Sequence, residues 1–376
     1  MTKLLKWVLT LLIIYAAYNF FIKEREDTAI NTVSEEIENS INQESITSFI
    51  QTLTRELNGL KSIFQDAQDF LPDWNVKEHS EDIPKPELET PKDYPFSIYN
   101  ISLGDEQQKV EKSLGHPQRV TENEYGISWF TYHNNYHNFV MIGYDDNNKV
   151  AALYTNQDLI ASSYGIKKGT KKEQVLDTLG EPLTELRKGL VSYKMAEDRD
   201  YEMFALEDSY VTVFFDKHEN NTVTALQIIS SSLEDNRKDF YVDGTENLKE
   251  GFEYQLFDLT NASRVNNNLN PLTWDEAVRE TARKHSLDMA ENNYFSHTNL
   301  EGESPFDRML NDGIHYSMAG ENLAYGQNSS VFAHEGLMNS MGHRENILQK
   351  DFASLGVGVA FNNDAQPYYT ENFLTK

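Results

Sequence analysis

The segment Met338-Asn-Ser-Met-Gly-His343-Arg-Glu-Asn-Ile-Leu348 carries one histidine directly after a glycine and ends in an apolar pair. Two shorter segments precede it, Tyr294-Phe-Ser-His297 and Ala319-Gly-Glu321-Asn-Leu. A neutral imidazole offers a nitrogen lone pair to a metal ion, and a glutamate can accept or deliver a proton. If folding gathers His297, Glu321 and His343, the two histidines are candidate metal ligands and Glu321 is the candidate catalytic group. Spacing alone does not decide whether they meet.

Further segments in a fixed order surround these three residues: Leu259-Thr-Asn-Ala-Ser-Arg264, Asn270-Pro-Leu-Thr-Trp274, Ala282-Arg-Lys-His285, Gly320-Glu-Asn-Leu323, Leu355-Gly-Val-Gly-Val359 and Tyr368-Tyr-Thr-Glu-Asn-Phe373. With them, residues 252–376 resemble the CAP superfamily (cysteine-rich secretory proteins, antigen 5 and pathogenesis-related 1 proteins) in its bacterial, cysteine-free form. The resemblance implies an α-β-α sandwich with a binding cleft into which His297, Glu321 and His343 point. It also implies zinc or another divalent cation in that cleft, as family members often hold one.

The chain departs from the family at one acidic position. Eukaryotic relatives place a second glutamate three residues after a tryptophan in the helix before the second histidine, whereas Leu337 and Ser340 stand here. Glu335 is a possible substitute, but a surface glutamate is the favoured interpretation because this residue type is mostly exposed. His285 lies on the apolar face of a predicted helix and is interpreted as a hydrogen-bonded core histidine outside the site.

Composition excludes several classes of function. The 376 residues carry a formal net charge of −27, which repels phosphate backbones, so nucleic acid is not an expected partner. The absence of cysteine removes disulfides, thiolate nucleophiles and Cys-type zinc sites. An extracytoplasmic chain without cysteine fits a bacterial cell envelope better than the disulfide-rich secretions of animals or plants.

The N-terminal 22 residues predict a membrane anchor. Lys3 and Lys6 precede an apolar run from Trp7 to Ile22, and residues 4–22 are just long enough to cross a bilayer as a helix. The cations before the run favour a cytoplasmic N-terminus, which places the bulk of a single-pass protein outside the cell membrane. Secretion after cleavage is the alternative, although the bulky residues after Ala17 disfavour a signal peptidase site.

Residues 23–96 read as an acidic helical stalk followed by a spacer. Between Ile46 and Leu71 the apolar residues alternate steps of four and three, which is a heptad pattern. Self-association through residues 46–71, a helical hairpin and packing on the main body all remain open. The five prolines between residues 72 and 95 stand among charged residues without apolar periodicity, which indicates an extended spacer.

Residues 97–235 contain an internal repeat. Leu103-Gly-Asp105 leads to Leu114-Gly-His-Pro117, and Lys168-Gly-Thr170 leads to Leu179-Gly-Glu-Pro182. The final Gly and Pro predict the end of a short helix in each copy, and strand-like runs with a turn at Asp145-Asp-Asn-Asn148 predict antiparallel hairpins. We therefore predict an α+β chain in which each copy is a helix on a small sheet. This region resembles the CAP-associated domain of Bacillus-type bacteria.

These patterns lead to a hypothesis of a membrane-anchored extracytoplasmic protein that binds a peptide, cell-wall fragment or lipid in the His/Glu cleft. The alternative is a metal-dependent hydrolase of the envelope, in which His297 and His343 hold an ion and Glu321 takes a proton from bound water. A serine nucleophile, Ser296 or Ser340, lacks a nucleophile-elbow motif. A third interpretation makes the terminal domain a docking surface without a working triad.

Overall fold

The structure, a computed structural model, describes residues 83–376. The predicted membrane segment, the heptad pattern and the first part of the spacer lie outside the described residues. Within residues 83–376, no helix combines the length and apolar character needed to cross a membrane. The described residues fall in a single unit, Glu81–Lys376, so contacts between its parts define the architecture.

Eight helices and fifteen strands make up this part of the chain. The helices are α1 Gln107–Leu114, α2 Lys172–Leu179, α3 Ser231–Asn236, α4 Glu246–Asn266, α5 Glu276–Asn292, α6 Pro305–Asn311, α7 Ser330–Met338 and α8 Met341–Ile347. The strands are β1 Phe96–Ile98, β2 Arg119–Glu122, β3 Ser128–Asn134, β4 His137–Tyr144, β5 Val150–Thr155, β6 Ile160–Ser162, β7 Glu185–Lys188, β8 Val191–Lys194, β9 Tyr201–Leu206, β10 Ser209–Asp216, β11 Thr222–Ser230, β12 Thr273–Trp274, β13 Met318–Tyr325, β14 Ser354–Phe361 and β15 Pro367–Thr375.

The first domain is built on one seven-stranded antiparallel sheet in the order β2-β3-β4-β5-β11-β10-β9. The sequence predicted a separate small sheet for each copy of the repeat. Instead β5 pairs with β11, for example Leu153 opposite Ile228, and joins both sets of strands. Every residue of β5 is buried, so this strand has a central place in the sheet.

The two predicted repeat helices are present, and the chain leaves each of them at a glycine. Gly115 after α1 and Gly180 after α2 have φ of 79° and 81°, a backbone conformation that favours glycine. Val110 of α1 and Val175 of α2 pack into the same core cluster on one face of the large sheet. The helix ends match the sequence prediction, while a duplication remains an interpretation of the repeat.

The terminal domain is a three-layer sandwich around the sheet β12-β14-β15-β13. On one face, Gly356 and Gly358 lie against the backbone of α5. On the other face, Leu355, Val357 and Val359 pack in a cluster with residues of α4 and α7. The α-β-α arrangement that the resemblance implied is therefore observed, since successive residues of β14 point to opposite helical layers.

Helix α4 lies between the two domains. Every residue from Gly251 to Val265 except Tyr254 is buried. Leu259 packs with residues of the large sheet, whereas Phe252 and Leu256 pack in the terminal core. A helix buried on all sides must be covered by two layers, so α4 belongs to both cores.

We expect Gly358→Ala to destabilise the fragment 81–376 by roughly 2–3 kcal/mol in urea denaturation. A methyl group at residue 358 would lie 2.1 Å from the backbone nitrogen of Arg283, so β14 and α5 would have to separate. Gly336→Ala is the matched control, because a methyl group there meets no atom within 4 Å. Equal stability of the two variants would contradict this account of the sandwich.

Candidate functional site

The centre of the candidate site is the carboxylate of Glu321 in β13, whose side chain is only 1% exposed. Its Oε1 lies 2.9 Å from Nδ1 of His297, and Nη2 of Arg308 donates to its Oε2 at 2.6 Å. The His297 side chain is 53% exposed. The buried carboxylate of Glu321 is thus hydrogen-bonded to an imidazole that faces solvent.

Arg308 organises this arrangement from α6. The helix begins with a capping box in which Ser304 and Asp307 exchange hydrogen bonds, with Pro305 at its first turn. The guanidinium of Arg308 also donates to the backbone carbonyls of His297 and Glu303, at 2.8 and 3.1 Å. Arg308 was not among the predicted site residues. No sequence motif links this arginine to the glutamate.

His285 supports the loop that carries His297. It is buried in α5, and its Nε2 lies 2.9 Å from the carbonyl oxygen of Ser296. Since a carbonyl only accepts, Nε2 carries the proton. Burial, followed by the charge of Arg308, lowers the pKa of His285, which keeps the ring neutral. The prediction of a hydrogen-bonded core histidine is confirmed.

His343 lies in the first turn of α8, and two asparagines bind this helix to β13. The amide of Asn322 donates to the backbone carbonyl of His343 at 3.1 Å, and the amide of Asn346 donates to that of Glu321 at 3.2 Å. Burial lowers the pKa of His343. Its Nδ1 is buried and finds no hydrogen-bond partner among residues 83–376. Helix α8, which carries His343, is thus bound to the strand that carries Glu321.

A second buried acid, Glu371 of β15, underlies the site. Its carboxylate accepts hydrogen bonds from the hydroxyl of Thr260 at 2.8 Å and the amide of Asn322 at 3.0 Å. Burial raises the pKa of Glu371 to about 7. The side chain is fully enclosed, so it fixes Asn322 and has no access to a ligand.

The donor set limits what metal could be held here. Between residues 83 and 376, no group of three or more His, Asp or Glu side chains is arranged to bind a metal ion. The Glu321 side chain is only 1% exposed and accepts hydrogen bonds from His297 and Arg308, so it has little access to an ion. Only the two imidazoles remain as ligands, whereas zinc sites ordinarily use three or four protein ligands. A metal at His297 and His343 remains a prediction.

Glu335 lies in an environment different from the one that the sequence predicted. We expected a surface glutamate, but the residue is only 4% exposed and accepts a hydrogen bond from the Tyr154 hydroxyl at 2.5 Å. Because Tyr154 belongs to β5, Glu335 is covered by the first domain. Burial raises the pKa of this acid to about 7. The surface interpretation was wrong, and Glu335 stands at the interface between the domains.

Family models match both domains. Residues 103–240 match the CAP-associated N-terminal domain, and residues 257–373 match the cysteine-rich secretory protein family. The terminal domain belongs to the CAP superfamily. It is joined to a CAP-associated domain in the order that the sequence predicted.

Relatives and solved structures extend this match. The chain is 28% identical over 294 residues to the uncharacterized membrane protein YlbC of Bacillus subtilis. The aligned region covers 73% of this chain and 82% of YlbC. The uncharacterized protein YkwD of the same organism is 41% identical over 125 residues, 33% of this chain and 48% of YkwD. A crystal structure of an extracellular SCP-domain protein from Bacillus anthracis superposes with a TM-score of 0.64 at 27% identity, covering 78% of this chain and 100% of that one. A cysteine-rich secretory protein of Staphylococcus aureus shares the fold, with a TM-score of 0.58 at 16% identity over 77% of this chain and 98% of its own.

We expect Arg308→Met to lower the free energy of unfolding of the fragment 81–376 by roughly 3–5 kcal/mol, because it leaves the Glu321 carboxylate buried without a cation. The double variant Arg308→Met/Glu321→Gln should lower the free energy of unfolding by less than the sum of the decreases in the two single variants. Lys284→Met is the control, since Lys284 and Asp312 form an exposed pair whose loss should cost less than about 1 kcal/mol. Strictly additive effects would show that Arg308 and Glu321 do not depend on each other.

The raised pKa of Glu335 predicts a pH dependence of stability. The folded protein holds this proton more tightly than the unfolded chain, because burial moves the pKa from 4.5 to about 7. The resulting stabilisation is complete below about pH 4.5 and is lost as the pH rises through about 7. In urea denaturation, the free energy of unfolding should fall between pH 5 and pH 8, and Glu335→Gln should reduce that fall by roughly 2–3 kcal/mol. Glu345→Gln, an exposed change in α8, should not alter the fall in the free energy of unfolding.

Proposed function

We propose that the CAP domain is an extracytoplasmic binding domain, and that His297, Glu321 and His343 form the site that takes a peptide, a cell-wall fragment or a lipid. The observation that carries this proposal is the 2.9 Å contact between His297 Nδ1 and Glu321 Oε1. This contact fixes the imidazole of His297 at the surface. The Glu321 carboxylate is in turn held by its ion pair with Arg308.

The contact sets the chemistry of His297. A carboxylate accepts the Nδ1 proton, so the tautomer inferred from this hydrogen bond presents Nε2 with a free lone pair. Nε2 can accept a hydrogen bond from a ligand amide or bind a divalent ion. Glu321 then acts as a positioning residue, in the same way as carboxylates that orient metal-bound histidines in other proteins.

A divalent ion, if present, would be held by His297 and His343 and would polarise a carbonyl or carboxylate oxygen of the ligand. Hydrolysis is the weaker proposal for this donor set. The Glu321 side chain is only 1% exposed, so a bound water has little access to its oxygens. Ligand binding at His297 does not require that access.

Exposed apolar side chains near the histidines favour a ligand of mixed character. Phe295, two residues before His297, is half-exposed and lies 5.9 Å from the ring of Tyr325. Met341, two residues before His343, is also half-exposed. A polar centre beside apolar side chains suits a peptide, or the peptide part of a wall fragment, better than an acyl chain alone.

The comparisons support the proposed location. YlbC is named a membrane protein, and the Bacillus anthracis neighbour is described as extracellular. Together with the apolar run at residues 4–22, they support a single-pass protein of the cell membrane whose bulk lies outside. Secretion after cleavage of that segment is the alternative.

Isothermal titration of Zn²⁺ into the fragment 81–376 tests the site. We expect His297→Ala and His343→Ala each to weaken zinc binding at least tenfold, because each removes one of two ligands. Glu321→Gln should weaken it by roughly ten- to a hundredfold through loss of orientation. A synthetic wall stem peptide, titrated with and without Zn²⁺, should lose affinity in the same variants.

His315→Ala is the matched control, since His315 is an exposed histidine of the same domain. Its zinc and peptide affinities should equal those of the unchanged fragment. If the double variant His297→Ala/His343→Ala takes up zinc and the peptide as before, the proposed site is eliminated.

A further inference from the structure

A cavity lies between the first domain and the CAP domain, and its lining does not include the histidines of the candidate site. It encloses about 500 Å³ and is covered by the β7–β8 hairpin, which forms a two-stranded sheet of its own. Its walls also come from edge strand β9, from residues 237–241 after α3 and from α7 of the CAP domain. A volume of this size is typical of ligand sites, which often lie where domains meet.

Aromatic rings form much of the wall. Tyr193 of the hairpin stacks on Phe240, with ring centroids 5.1 Å apart and planes inclined by 22°. Tyr201 of β9 meets Phe332 of α7 edge to face, with centroids 5.0 Å apart. Tyrosines combine an apolar face with a hydroxyl at the rim. The wall therefore suits a ligand whose own faces are apolar and whose edges are polar, as in a pyranose ring.

The charges at this cavity differ from those of the whole chain. In a protein of net charge −27, its charged lining residues are Lys194, Arg237 and Glu234, two cations and one acid. The acid is already engaged, because the carboxylate of Glu234 pairs with Lys188 as well as with Arg237. The lining thus offers positive charge to a ligand.

Arg237 is the fixed part of that charge. Its guanidinium lies over the rings of Tyr125 and Phe240, at 5.0 and 5.7 Å from the ring centroids. Although the residue is buried, its Nε finds no hydrogen-bond partner in the described range 83–376. Arg237 therefore keeps one hydrogen-bond donor that none of its described neighbours satisfies.

We propose that this cavity binds an anionic sugar, with the sugar ring against Tyr193 and its carboxylate directed to Lys194 and Arg237. The occupant is defined by two requirements that the lining sets together, aromatic faces for the ring and positive charge for the acid. This site is separate from the His297–Glu321–His343 site and does not depend on the function proposed there.

The test compares N-acetylmuramic acid with N-acetylglucosamine, which share the ring and the acetamido group but differ in the lactyl carboxylate. Both are titrated into the full-length protein by calorimetry. We expect N-acetylmuramic acid to bind at least tenfold more tightly. Lys194→Gln should remove most of that preference, and since Lys194 is exposed, the change should not affect folding. Tyr193→Ala should weaken both sugars at least fivefold.

Leu190→Ala is the matched control, because Leu190 is fully exposed at the tip of the same hairpin. It should leave both affinities unchanged, as should His297→Ala/His343→Ala. Equal affinities for the two sugars, no binding of either, or binding that survives Lys194→Gln and Tyr193→Ala would each overturn the proposal. Binding lost only in the double histidine variant would assign the sugar to the histidine site, which separates failure of this proposal from failure of the proposed function.

Discussion

The burial of helix α4 between two sheets is the constraint on which the rest of the structure depends. The backbone of the first domain approaches it so closely that a methyl group on Gly251 would lie 2.3 Å from the carbonyl oxygen of Glu122. The carboxylate of Asp258, fully buried in α4, pairs with Arg119 of β2 at 2.8 Å. A buried ion pair costs desolvation, so its main effect here is to fix how the first domain meets the helix. Arg119 also lies over the ring of Tyr254, the one partly exposed residue in that stretch of α4.

The same helix positions the candidate site from the other side. Arg264 donates to the carbonyls of Ile347 and Gln349, both at 2.8 Å, and so holds the end of the helix that carries His343. Thr260 donates to Glu371, which fixes Asn322 next to Glu321. Because neither α4 residue belongs to the candidate site, their effect on it is indirect. The site is preorganised by contacts that start in a helix shared with the first domain.

Local patterns predicted much of this structure, and long-range contacts account for what was missed. The glycine ends of α1 and α2 and the antiparallel pairing of β4 with β5 follow from residues close in sequence. The burial of Glu335 depends on Tyr154, 181 residues away, and the joining of β5 to β11 depends on strands from the two copies of the repeat. No periodicity encodes such contacts. For the site, the family motifs named His297, Glu321 and His343, but Arg308 could not be found because a lone arginine on a short helix carries no signature of its partner.

The shared helix has a consequence for how this CAP domain can be moved between proteins. The boundary predicted at residue 252 falls inside α4, and a polypeptide cut there would lose the helix N-cap at Thr245. It would also expose Leu259, Ala262 and Val331, which now pack against the large sheet. Gene fusion or recombination could transfer this domain alone only if polar residues replaced the apolar residues on that face. Otherwise the first domain must be transferred with it. The two domains are therefore expected to be inherited together as one module.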